Sequence, residues 1–140
     1  MREILFRART LFDVEWVEGC YEFGYDAETE EPTHYMWVLN HAEKYGEMFM
    51  VVPETVGQYT GLTDKNGTKI FEGDIVAGAV HWLERYKNGV VAFRDGSFGL
   101  IWHRGDIEQF NAFTSMCNVE YEVIGNIHDS PELLEEREKT

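Results

Sequence analysis

Lysine and arginine are scarce in this chain: 12 of them stand against 26 aspartates and glutamates, giving a formal charge of −14 over 140 residues. A phosphate backbone would be repelled unless those few cations were gathered on one face, so nucleic acid is not an expected partner. Cysteine is almost missing. Cys20 and Cys117 lie far apart and belong to no CxxC or CxxH pattern, which excludes zinc-ribbon and thioredoxin-type chemistry and leaves two free, buried thiols as the expectation. Long hydrophobic runs are also lacking. Near the N-terminus, Ile4, Leu5 and Phe6 sit between charged residues, a run too short for a signal-peptide core or a membrane span. The protein is therefore expected to remain where it is made, away from membranes.

What is plentiful points to a packed globule. Hydrophobic residues make up 44% of the chain and aromatic residues 14%, a composition that a disordered chain of high charge would not have. A chain of this length buries roughly two-thirds of its unfolded surface, enough for one core without disulfide staples.

The periodicity is that of strands. Val17, Gly19, Tyr21 and Phe23 alternate with Glu18, Cys20 and Glu22, the period of two that places aromatics on one face and carboxylates on the other. Residues 4–12, with Arg7 and Arg9, predict an edge-like strand and a turn. The short continuous apolar runs 35–39 and 48–52 predict strands covered on both faces, the second stopped by Pro53. Between these elements, residues 24–33 carry Asp26, Glu28, Glu30, Glu31 and Pro32 and predict an exposed, mobile loop.

Turn chemistry is densest in the second half. Asn66-Gly67, Asn88-Gly89 and Asp95-Gly96 each carry the hairpin dipeptide whose residues accept positive φ, and together they predict a meander with type I′ turns. Val119, Tyr121 and Val123 alternate with Glu120 and Glu122 as a last strand. Residues 129–136 then read as a short C-terminal helix with proline early and acids at its positive end, docked by Leu133 and Leu134. The expected class is mainly β (β-rich α+β): an antiparallel meander with a short C-terminal helix, its C-terminal half shaped like a small SH3-like barrel. One domain over residues 1–140 is expected, divisible into N-terminal strands (1–53) and a barrel-like part (54–140).

Three stretches carry a wider resemblance. They are Arg2-Glu3-Ile4-Leu5-Phe6-Arg7-Ala8 with Trp16-Val17-Glu18-Gly19; the central block running from Val52-Pro53-Glu54-Thr55-Val56-Gly57-Gln58-Tyr59-Thr60-Gly61-Leu62 through Asp64, Asn66 and Gly67 to Ile70-Phe71-Glu72-Gly73-Asp74-Ile75-Val76; and Glu122-Val123-Ile124-Gly125-Asn126-Ile127-His128-Asp129 with Pro131-Glu132-Leu133-Leu134. In this order and spacing the chain resembles the YopX family of phages and prophages. The resemblance implies a phage or prophage origin, a cytoplasmic setting and a mainly β fold. It implies no catalytic residues, since the family is largely one of unknown function. Within the central block, Pro53, Glu54, Thr55, Gly57, Gln58, Tyr59, Gly61, Asn66, Gly67, Gly73 and Asp74 read as shaping residues, as does Gly125 near the end.

Candidate chemistry is sparse. His81, His103 and His128 with Asp106 and Cys117 match no helical HExxH or zinc spacing, and a metal-dependent hydrolase or nuclease would need His103, Asp106 and His128 to converge from separate strands. Nothing beside Cys117 would lower its thiol pKa. Trp16, Trp37, Trp82 and Trp102 with Tyr35, Tyr59 and Phe98 form the aromatic set from which a stacking or anchoring platform could be drawn. The resulting expectation is a non-enzymatic module without cofactor that binds a host or phage protein or forms a homo-oligomer. Two alternatives stand beside it: an acidic mimic of nucleic acid that inhibits a host DNA-binding protein, and the small metal-dependent hydrolase.

Overall fold

In the structure, a computed structural model, residues 3–40, 45–78, 88–113 and 121–135 are described. His81, Trp82, Cys117, Val119 and Glu120 lie outside them. The chain divides into two compact units, Met1–Tyr59 and Thr60–Thr140.

The first unit is built on β1 (Phe6–Arg9), β2 (Trp16–Tyr25), β3 (Pro32–Asn40) and β4 (Tyr45–Met50), hydrogen-bonded in the antiparallel order β4-β3-β2-β1. The alternation read over residues 17–23 holds: Val17 and Tyr21 pack on a core of Ala8, Met36 and Val51, while Glu18, Glu22 and Cys20 face solvent, the last contrary to the burial expected of it. β1 is not at an edge. It pairs with β2 on one side and with the start of β5 (Gly57–Thr63) on the other, and across the sheet Phe6 and Ala8 face the core while Arg7 and Arg9 point the opposite way. Pro53 does stop the preceding run, by opening a single 3-10 turn, Pro53–Thr55. The buried Thr55 hydroxyl accepts the Arg9 N–H at 2.9 Å and donates to the Val52 carbonyl at 2.6 Å, fastening that turn to β1.

The acidic segment is shorter and more ordered than a loop over 24–33. Gly24 and Tyr25 pair with Thr33 and Pro32, so the β2–β3 ladder reaches almost to the tip. Asp26 closes what remains, its Oδ1 accepting the amides of Glu28 and Thr29 at 2.8 and 2.9 Å while its N–H donates to the Glu31 carbonyl.

The second unit holds the remainder of β5, then β6 (Lys69–Phe71), β7 (Asp74–Ala77), β8 (Gly89–Arg94), β9 (Ser97–Arg104), β10 (Ile107–Ala112) and β11 (Glu122–Asn126), with the short helix α1 (Glu132–Glu135). Its larger ladder runs β10-β9-β8-β7-β11, a meander to which β11 adds on the far side of β7. Among the described residues the fold is thus mainly β, in two antiparallel sheets with one short helix. Ile70, Val76, Val91 and Leu100 form the core, flanked by Leu62, Phe113, Tyr121 and Val123.

The three Asx-Gly dipeptides do three different things. Asp95-Gly96 is the expected type I′ turn, both residues at positive φ (50° and 83°) in a two-residue link between Arg94 and Ser97. At Asn66-Gly67 only Gly67 has positive φ, 82°, and the Gly67 N–H donates to the Asp64 carbonyl: a longer loop replaces the type I′ turn because the Asp64 side chain organises it. Gly89 makes no turn. It is buried inside β8 opposite Val76.

Candidate functional site

The polar residues of the central block are committed to architecture. Asp64 is only 5% exposed, yet its Oδ1 accepts the amides of Asn66 and Thr68 and its Oδ2 that of Val123, each at 2.9 Å. Burial pushes its carboxyl up, but the amides of Val123, Thr68 and Asn66 and the Lys65 charge together outweigh burial and hold it below the ordinary value of 3.8. Asp74, also buried, accepts the Phe71 N–H at 2.8 Å. The Gly73 carbonyl receives the Ile127 N–H, and the Gly73 N–H, on a backbone with φ of 88°, donates to Val91. Gly125 lies under a close approach: a Cβ there would lie 3.0 Å from the side chains of Leu133 and Ser130, and α1 docks over it through that leucine. Gly57 and Tyr59 are buried in β5, where they pair with Arg7 and with the Leu5 carbonyl respectively. Gln58 pairs with Phe6, Gly61 takes positive φ, and Glu54 is exposed in the first turn of the 3-10 segment.

His103 lies in β9 opposite Glu108, Asp106 in the turn that follows, and His128 in the turn after β11, beside Gly73. Among the described residues no group of three or more histidines, cysteines or carboxylates is placed to hold a metal ion.

Of the described members of the aromatic set, the structure places three on one face and the others elsewhere. Tyr59 and Trp102 are buried, Trp102 donating its indole N–H to Asn111, and Phe98 packs against Phe93. Trp16, Tyr35 and Trp37 share one face. Antiparallel partners project to the same side, and the register Arg9↔Trp16, Cys20↔Trp37↔Met48 and Glu22↔Tyr35↔Met50 places all of these residues opposite the side that buries Met36. The sheet thus has a core face and an outer face on which Trp16, Tyr35, Trp37, Met48 and Met50 stand among Arg7, Arg9, Glu18 and Glu22. Trp37 remains 42% exposed and Met48 49%.

This outer face is what the sequence reading missed. Continuous apolar runs at 35–39 and 48–52 were expected to mark strands covered on both sides, but among the described residues one side is left open. The signal was the identity of the alternate residues, tryptophan, tyrosine and methionine, the types favoured at contact surfaces.

Charge divides this strand system lengthwise. At the Trp16 end, the guanidinium of Arg7 lies 5.0 Å and that of Arg9 6.0 Å from the indole centroid. Toward the other end Glu22 accepts the Trp37 indole N–H at 2.7 Å. Beyond it, on the core side of the hairpin, Phe23 and Tyr25 emerge into solvent, 51% and 68% exposed, in edge-to-face contact at 5.7 Å. His34 lies 5.1 Å from the Phe23 ring and is hydrogen-bonded through Nδ1 to the Tyr21 hydroxyl. A separate apolar tip joins β1 to β2, where Leu11, Phe12 and Val14 are exposed and Val14 holds a left-handed φ of 55°, a strained conformation for a β-branched residue.

A family model described as YopX protein matches residues 5–135, nearly the whole chain. Among solved structures, the crystal structure of protein EF1440 from Enterococcus faecalis is similar at 25% identity and a TM-score of 0.53, over 96% of this chain and 99% of that one. No curated protein matches.

Proposed function

The chain belongs to the YopX family, and from that premise we propose that it is a non-enzymatic accessory protein of phage origin, working in the host cytoplasm by contact with a host or phage protein or with further copies of itself. The observation that carries this reading is the outer face of β2, β3 and β4, where Trp16, Tyr35, Trp37, Met48 and Met50 stand opposite the core rather than within it. Trp, Tyr and Arg are the residue types that dominate binding energy at protein contacts, and a rigid sheet presents them with little ordering cost. No helix among the described residues is long and apolar enough to cross a membrane.

Within the central block, Thr55, Thr60, Asp64 and Asp74 support the same reading, because their side-chain oxygens are spent on backbone amides. The nucleic-acid mimic needs one continuous face of free carboxylates. Asp64 and Asp74 are buried acceptors, and Glu108 and Glu122 are ion-paired with Arg94 and Lys65, so four carboxylates are withdrawn from such a face.

The test is Trp37→Ala combined with Met48→Ser. Circular dichroism and the melting transition should stay close to those of the parent chain, while the protein co-purified from infected or expressing cells, or the oligomer seen in sedimentation velocity, is lost. A parent chain that runs as a monomer and co-purifies with nothing removes the basis for the proposal.

A further inference from the structure

We propose that the tip of the β2–β3 hairpin is a docking site for an extended, Lys/Arg-bearing segment of another protein, with a cationic side chain received by Phe23 and Tyr25. This inference rests on the reading of the chain as a contact protein and names the chemistry of what it contacts.

Three observations converge on the occupant. The rings are presented rather than stranded: Phe23 and Tyr25 continue the core-side row that begins with Val17 and Tyr21, and the Tyr21–His34 hydrogen bond and ring stacking hold the base of the cluster. The surroundings are of one sign. No lysine or arginine occurs in the sequence between Arg9 and Lys44, whereas Asp26, Glu28, Glu30 and Glu31 form the tip loop that directly follows Tyr25, Glu18 and Glu22 lying on the opposite face of β2. Finally, the cation is already present at the other end of the same strand, where Arg7 and Arg9 lie over Trp16, but among the described residues none lies over Phe23 or Tyr25. A ring face in a negative field attracts a guanidinium or ammonium group both by its quadrupole and by the carboxylates around it. A second copy of this chain is disfavoured as the occupant, because each copy carries −14.

The second unit supplies an internal control. Phe93 and Phe98 form an edge-to-face pair of similar geometry, 5.0 Å apart with Phe93 half-exposed, but Arg94 follows Phe93 directly and the acidic loop is absent.

The experiment titrates the isotopically labelled full chain with an oligoarginine peptide at an ionic strength of about 0.15 M, following aromatic and amide resonances by NMR. Shifts should concentrate on Phe23, Tyr25, His34 and residues 26–31 and leave Phe93 and Phe98 unmoved. Phe23→Leu with Tyr25→Leu should weaken binding about tenfold. Glu28→Gln with Glu30→Gln and Glu31→Gln, all exposed and outside the core, should weaken it comparably without touching the rings. Shifts spread over every acidic region, unchanged affinity in both variants, or no binding would each overturn the inference. If the peptide fails while the Trp37/Met48 variant still loses a co-purified protein, the contact function stands and only the hairpin assignment falls.

Discussion

A buried aspartate ordinarily signals either catalysis or strain, and Asp64 signals neither. Its two oxygens take three backbone amides from a loop and from β11, so the charge is distributed over N–H dipoles instead of being left for a substrate. The folded carboxyl titrates below the unfolded one, so its stabilising contribution is complete above the ordinary value of 3.8 and is lost as pH falls through the folded pKa. Asp64→Asn turns one acceptor into a donor facing an amide and should cost about 2 kcal/mol in urea unfolding at neutral pH. The gap between parent and variant should narrow as acid protonates the parent carboxyl; a gap that stays constant into strong acid would show that charge is not what the amides hold. The sequence marks Asp64 only as a member of the central block. Its acceptance of the Val123 amide, 59 residues away, follows from tertiary contact that no local pattern encodes.

Strands and turns were legible wherever the backbone itself demanded a residue type. Asp95-Gly96 takes the conformation that its dipeptide predicts, and Gly105-Asp106, unread as a signal, makes another two-residue link with glycine first, at φ 64°. Asn66-Gly67 and Asn88-Gly89 show the limit: a dipeptide permits positive φ, and neighbouring hydrogen bonds decide whether it is used. Gly99 is the corresponding case within a strand. A Cβ there would lie 2.4 Å from the Asn111 carbonyl oxygen and 2.7 Å from the Phe110 ring, so β9 and β10 approach each other over a bare backbone. Gly99→Ala should destabilise by about 2–3 kcal/mol, within the range for strain and overpacking, with thermal denaturation as the readout. A neutral result would mean that β10 can move away without loss.

At the scale of the whole chain, a charge of −14 opposes any association between copies and assists any with a basic partner. Added salt screens both effects, so sedimentation velocity should show self-association strengthening with ionic strength while oligoarginine binding weakens. Both responses moving in the same direction would contradict a purely electrostatic account. The amino-acid order alone determined the β class, the alternation of β2, the type I′ turn at Asp95-Gly96 and the short terminal helix, because each follows from local sterics, periodicity or composition. Tertiary structure decided which of two apolar strand faces would be covered, that β1 would be flanked on both sides, and that Phe23 and Tyr25 would emerge beside the carboxylates of the hairpin. Periodicity separates one side of a strand from the other, but only the packing of distant segments chooses the side that keeps contact with water.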